Sequence, residues 1–207
     1  RHSAMAFAML LAATGVLHPL QPQAAEQKYL WNVTVGEKIM SFEVMVHPDW
    51  APAGAARFEE LVKGDFFTDI KFFRVVNGFM AQFGIAGDPA VAAKWKTNTI
   101  LDDHPTEKHT NAKGTLSFAT SGPDTRTTQL FINLVDNDFL DASGFTPFAE
   151  VLGDGMTDVV EKLESSYGEG APSGNGPDQS KIQAEGNAYL NAQFPLLSTL
   201  NSVTLVA

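Results

Sequence analysis

The sequence predicts a mainly β domain, an antiparallel sheet or barrel closed by helices. Many segments alternate apolar and polar residues with a period of two and are separated by turn residues. Two other stretches place apolar residues at helical spacing, far apart in the chain. There is no internal repeat, and 207 residues suffice for one domain with a core of its own. Hairpin-joined strands with two separate helices fit an antiparallel architecture, and closing it into a barrel removes exposed strand edges.

Taken in order, Arg1 and His2 precede an apolar run from Ala4 to Ala13 that continues to Leu17. This run resembles the apolar middle of a secretory signal and is short for a bilayer span. Pro19, Pro22, Ala24 and Ala25 lead towards a cleavage point, although Gln23 stands where a small residue is preferred. Residues 1–25 are therefore expected to be a targeting segment, and export to a periplasm, an organelle lumen or the medium follows. A tethering helix that is never removed is the alternative. The folded domain is expected over residues 26–207.

Tyr29, Trp31, Val33 and Val35 alternate as a strand, Gly36-Glu37 turns, and Met40, Phe42, Val44 and Val46 share a face of the next strand. The sequon at Asn32 falls inside the first of these strands, where it is expected to be idle. Pro48, Asp49 and Pro52 mark a helix start, Ala55, Phe58, Leu61 and Val62 its apolar face, and Gly64 its stop. Residues 85–113 carry no clear period and are expected to form a long surface loop. His104 and His109 lie there beside Asp102 and Asp103, but their spacing matches no ligand pair on a helix or strand, and no metal is expected.

Gly114 to Ala119 and Thr127 to Leu134 read as strands around a turn at Ser121 to Asp124. In the second, Gln129, Phe131 and Asn133 share one side and Leu130, Ile132 and Leu134 the other. Phe145 to Val151 is a further strand, with Pro147 suggesting an edge or a bulge. Met156, Val159, Val160 and Leu163 form the second helical stripe, with Asp154 as its N-cap. Residues 167–207 form a C-terminal extension. It begins with a Gly/Pro-rich loop from Tyr167 to Gln179, then a short strand at Lys181 to Ala184, a partly helical stretch over 187–200 and a closing strand at Ser202 to Val206.

Composition narrows the function. Fourteen Lys+Arg against 24 Asp+Glu give a formal net charge of -10. Nucleic-acid affinity comes largely from basic phosphate contacts, so that partner is excluded, as is docking on an anionic membrane face. The absence of cysteine excludes disulfides, thiolate nucleophiles and cysteine-ligated zinc. Fifteen Phe against 3 Tyr and 3 Trp predict a phenylalanine-rich core.

The chemistry concentrates in the stretch from Phe72 to Gly84. Asn77-Gly78 marks a hairpin turn, which puts Arg74 on one arm and Phe79, Met80 and Gln82 on the other. A fixed cation with a planar fork of donors then stands beside an apolar patch and an amide. That combination suits holding or polarising a neutral carbonyl or amide, and suits proton abstraction poorly. The alternative is a core hairpin whose arginine reaches solvent.

These residues resemble a known family. Phe72 to Gly84 is similar to the cyclophilin run Phe-His-Arg-x-x-x-Gly-Phe-Met-x-Gln-Gly-Gly. Leu116 to Ile132 resembles its Leu-Ser-Met-Ala-Asn-x-Gly-Pro-Asn-Thr-x-x-Ser-Gln-Phe-Phe-Ile run, and Phe139-Leu140-Asp141 followed by Phe148-Ala149-Glu150-Val151 resembles its Trp-Leu-Asp … Phe-Gly-x-Val. The motifs keep family order and cover roughly residues 26–166. The resemblance implies a closed eight-stranded antiparallel β-barrel capped by two α-helices, with peptidyl-prolyl cis-trans isomerase activity. It assigns Arg74 as catalytic with Gln82 beside it. Phe79, Met80, Phe131 and Leu140 become the proline pocket, and Ala119, Thr120 and Gln129 the groove for the substrate backbone.

Four positions depart from the family. Phe73 and Phe145 stand where it has histidines, Phe139 where it has Trp, and Thr120 where it has Asn. Phe139 and Phe145 remain in the expected substrate-binding set, and the loss of Trp argues against tight cyclosporin binding. Rotation about an X-Pro bond breaks no covalent bond, so neither cofactor nor metal is expected. The expected partners are proline-containing polypeptides, bound by a monomer not inserted in a membrane. Two alternatives stay open: a proline-peptide-binding module of the same fold with little turnover, and a structural partner within a larger assembly.

Overall fold

The computed structural model describes residues 25–104 and 109–206, and the expected targeting segment, Ala25 apart, lies outside them. Strands β1 (Gln27–Val35) and β2 (Lys38–Val46) pair in antiparallel register. Their alternation buries Tyr29, Trp31 and Val33 from one and Phe42, Val44 and Val46 from the other. Helix α1 (Pro52–Lys63) follows, then β3 (Ile70–Lys71), β4 (Arg74–Val76), β5 (Met80–Phe83) and helix α2 (Pro89–Trp95). After β6 (Thr115–Phe118), β7 (Leu130–Asn133) and β8 (Pro147–Val151) come α3 (Gly155–Asp158), α4 (Gln179–Gln193) and β9 (Thr199–Leu205).

The nine strands form one sheet in the order β3-β9-β1-β2-β8-β6-β7-β5-β4, and every named pairing is antiparallel. β3 and β4 stand at opposite ends of that order, yet only Phe72 and Phe73 separate them in the chain. The sheet therefore curls until both edges reach one stretch of chain. The mainly β, antiparallel expectation holds, as a curled nine-stranded sheet; among the described residues no ladder joins β3 to β4. Pro147 sits at a register shift opposite Ser117 on an interior strand, so of edge and bulge the bulge is realised.

Inside the curl lies an aromatic core. Trp31 packs against Phe42, Phe58, Phe67 and Phe83 with ring centroids 5.5, 6.0, 6.2 and 5.6 Å away. α1 buries Ala55, Phe58 and Leu61 against this core, with Pro52 in its first turn and Gly64 at its C-cap. Its free N-terminal N–H groups are met from a distance, since the buried Asp103 carboxylate accepts from Ala53 N and Gly54 N at 2.8 and 3.0 Å. Arg126 Nη1 donates to the same carboxylate at 2.9 Å.

Among the described residues, 85–104 and 109–113 are not irregular throughout, as the sequence suggests. They hold α2, whose N-cap Asp88 accepts from Ala90 N at 2.8 Å, an Ile100–Arg126 bridge and the inward-facing Asp103. The C-terminal extension is also corrected. Lys181 to Ala184 is helix rather than strand, part of an α4 that runs through a kink at Gly186 (φ +60°, ψ -144°). The second apolar stripe is buried as expected, but it forms only the four-residue α3 and a 3-10 turn at Val160–Lys162, and Asp154 makes no side-chain cap. The two-helix cap of the resemblance is accordingly one long helix at α1 and a short one at α3, with α2 and α4 besides.

Candidate active site

The β4–β5 hairpin closes through Asn77, Gly78 and Phe79, with Gly78 at φ +75° and Phe79 N donating to Val76 O at 3.0 Å. The loop has three residues rather than the two of a tight turn, and only its glycine is left-handed. The register sets Arg74 opposite Gln82 and Val76 opposite Met80, then Gln82 opposite Phe131 and Met80 opposite Asn133 on β7. Arg74, Gln82 and Phe131 thus form one row across three strands.

Alternation divides the two faces. Val75, Ala81, Phe83, Leu130 and Ile132 point into the main core. Met80, Phe131 and Leu140 form a separate cluster on the other face, with Val76, Phe79, Ala119 and Phe145 packed against it. Over this cluster opens a cavity of about 490 Å³. Arg74, Gln82, Phe79, Met80, Ala119, Thr120, Gln129, Phe131, Leu140 and Phe145 all line it.

Arg74 Nη1 donates to Gln82 Oε1 at 2.8 Å, and Gln82 Nε2 donates to Gln129 Oε1 at 2.9 Å. The guanidinium carbon lies 5.8 Å from the Phe79 ring centroid. Arg74 therefore turns towards the apolar cluster rather than away from it. On its other side, Nε and Nη2 donate to Glu169 Oε1 and Oε2 at 2.6 and 2.7 Å. These hydrogen bonds hold the Glu169 carboxyl below its ordinary value.

The family-departing positions are each accounted for in space. Phe73 is buried in the main core, remote from the question of a polar side chain. Phe145 meets Phe131 edge-on at 5.6 Å and extends the apolar wall. The Thr120 hydroxyl donates to Gly122 O and pairs with Thr125 Oγ1, so it is spent on its own turn. Phe139 does not line the cavity. It is 61% exposed and stacks on Phe79 at 6.0 Å, outside the rim.

Sequence reasoning missed several residues here. Lys96, Ser121, Thr125, Thr127, Gln179 and Gln183 also line the cavity. Behind the pocket runs a buried amide network in which Asn133 Nδ2 meets Thr115 Oγ1 at 3.0 Å. Asn137 Nδ2 donates to Asn133 Oδ1 at 2.8 Å and to the Phe79 carbonyl at 2.9 Å. Asn111 Nδ2 holds the Phe145 carbonyl at 2.9 Å. The alternation already placed Asn133 beside Phe131, and a polar residue within an apolar strand was the one available signal. His104 and His109 line a smaller cavity of about 170 Å³ with Asp103 and Asp141, and His109 stacks on Trp50 at 4.2 Å.

The sequence matches the family model for the cyclophilin type peptidyl-prolyl cis-trans isomerases over residues 32–184. The chain belongs to the cyclophilin family. It is 36% identical over 137 residues to a peptidyl-prolyl cis-trans isomerase of Acinetobacter baylyi, covering 62% of this chain and 71% of that one. It is 39% identical over 124 residues to peptidyl-prolyl cis-trans isomerase B of Escherichia coli, covering 56% and 73%. A Cryptosporidium parvum cyclophilin superposes with a TM-score of 0.61 at 17% identity, over 88% of this chain and 99% of that chain, a likeness of fold. In this cyclophilin the match ends inside α4, so β9 lies beyond it although β9 is paired on both sides in the sheet.

Proposed function

We propose that the chain accelerates cis-trans rotation about X-Pro bonds in polypeptide substrates, with Arg74 acting on the twisted imide. The observation that carries this is a guanidinium fixed by Gln82 at 2.8 Å at the wall of an apolar cavity. A planar X-Pro amide resists rotation by roughly 18–20 kcal/mol, because its nitrogen lone pair is conjugated. When the bond twists, the nitrogen turns pyramidal and its lone pair becomes a hydrogen-bond acceptor. A cation donating to that nitrogen, or holding the rotating carbonyl oxygen, favours the twisted state over both planar ones.

Each residue takes a part in this reading. Met80, Phe131, Leu140, Phe79 and Phe145 hold the pyrrolidine ring by burial, worth about 25 cal/mol per Å² of apolar area. Ala119, Thr120 and Gln129 lie where the peptide backbone would run. Gln82 links Arg74 to Gln129, so cation and groove are aligned together. Two of Arg74's five N–H donors remain beyond the pairs with Glu169 and Gln82, and one of them lies on Nη1, 3.9 Å from the Met80 sulfur. A substrate nitrogen or carbonyl is a far better acceptor than that thioether.

A coupled assay on a short Ala-Pro peptide tests the proposal: turnover by the full chain and its loss in Arg74→Ala support it, and equal rates in the two proteins sink it. We also propose that the protein acts as an exported monomer on folding polypeptides. The apolar run from Ala4 to Leu17 and the net charge of -10 support this. N-terminal sequencing of the mature protein and its elution volume test it.

A further inference from the structure

The strongest contact of Arg74 comes from outside the hairpin and the pocket. Glu169 lies in the glycine-rich loop that the sequence leaves without regular form. Gly176 N donates to the Glu169 carbonyl at 2.8 Å, Gly174 N to Gly170 O at 3.0 Å, and Gly170 N to Glu169 Oε1 at 2.8 Å. A Cβ at Gly174 would stand 2.3 Å from the Glu169 carbonyl oxygen, so the loop closes on Glu169 only because that position is glycine. Both loop ends are tied to the α4 region: Tyr167 packs edge-on against Phe194 at 5.1 Å, and Asp178 N donates to Tyr189 Oη at 3.1 Å. The loop is thus built to present one carboxylate at a set place.

We infer that Glu169 is a positioning residue for Arg74, fixing the roll of the guanidinium plane so that its Nη1 edge faces the cavity. A single bond from Gln82 sets a distance but leaves the plane free to rotate about that bond. The fork-to-fork pair, 2.6 Å to Nε and 2.7 Å to Nη2, removes that rotation. Glu169 is not among the residues lining the cavity, whereas Arg74 and Gln82 are. The carboxylate therefore grips the guanidinium from behind and leaves room for a substrate in front.

This inference rests on the isomerase reading, and its test separates the two. On-enzyme interconversion and Kd of an Ala-Pro peptide are measured by NMR exchange for the full chain and for Glu169→Gln, Glu169→Ala and Glu169→Asp. The Arg74 Nε–H signal is followed in each. Glu169→Ala is expected to lose the protected Nε–H signal, and both it and Glu169→Gln, whose NH2 faces Nη2 and breaks the fork, to lose about tenfold in interconversion, with Kd within about twofold, since a misplaced group loses rate rather than binding. Glu169→Asp keeps the charge and the fork and is expected to recover most of the rate. Interconversion in Glu169→Gln equal to or above that of the unaltered chain overturns positioning, and a rise would mark Glu169 as a brake. An Nε–H signal unchanged in Glu169→Ala also overturns it, whatever the turnover. Absence of turnover in the unaltered chain would count against the isomerase reading, and the Nε–H comparison would still decide whether Glu169 holds Arg74.

Discussion

Arg74 and Gln82 stand directly across from each other on β4 and β5, and Nη1 of the first donates to Oε1 of the second at 2.8 Å. Eight residues apart in the chain, they become cross-strand neighbours because a three-residue loop at Asn77–Phe79 sets the register. One residue of slip would turn both side chains into the core and bring Val75 and Ala81 outward.

Replacing Arg74 with Ala is expected to lower kcat/KM for an Ala-Pro peptide by about 100- to 1,000-fold, the usual loss for a donor aimed at developing charge. Arg74→Lys keeps a charge but not the fork, and its rate is expected to fall between the two. Both proteins should keep the circular dichroism of the parent, because the Arg74 side chain lies on the cavity face rather than in the main core.

Phe131→Ala removes the ring that sits between Met80, Leu140 and Phe145. Peptide affinity is expected to weaken by about 1–3 kcal/mol, since the pocket then holds less of the pyrrolidine. Titration with an Ala-Pro peptide checks this. An unchanged Kd would mean that the proline ring binds elsewhere.

Asp103→Ala leaves the Arg126 guanidinium, whose side chain is 6% exposed, with only Asp102 at 3.3 Å and the Leu101 carbonyl, and leaves two N–H groups of α1 without their acceptor. Stability is expected to fall by about 1–3 kcal/mol, the cost of leaving buried hydrogen-bonding groups unpaired while Asp102 still faces the guanidinium. Urea unfolding measures it.

The pH profile carries a further expectation. Hydrogen bonds from Arg74 hold the Glu169 carboxyl below its ordinary 4.5, so the pair is intact above that value and is lost as pH falls through the lowered one. Arg74 is the charged partner against Glu169. Turnover of an uncharged Ala-Pro peptide should therefore stay flat from neutral pH to below 4.5, then fall while circular dichroism still reports a folded chain. In Glu169→Gln that acid limb should be missing.

Much of the site was legible because it lies in strands. Alternation along Leu130 to Asn133 separates pocket from core, and the motif from Phe72 to Gly84 carries cation, amide and turn within 13 residues. α2 and α4 were not legible for definite reasons. α2 buries only Ala92, so it has no apolar stripe to read. α4 buries Ile182, Gly186, Tyr189 and Leu190, but the kink at Gly186 breaks the helical period between them. Glu169 had no signal at all, since a carboxylate in a glycine-rich loop has no period and no fixed neighbour in sequence.

The order of residues by itself determined the strands, the hairpin, the cation beside an apolar patch and the absence of thiol chemistry, because each of these follows from local periodicity or composition. Only the tertiary structure decided that Gln82 and Gln129 share one hydrogen-bonded line with Arg74, that Asp103 closes the start of α1, and that Glu169 reaches Arg74 across 95 residues of chain. Contacts of that kind are set by how far the sheet curls and where its loops land, and no short window of sequence contains both partners.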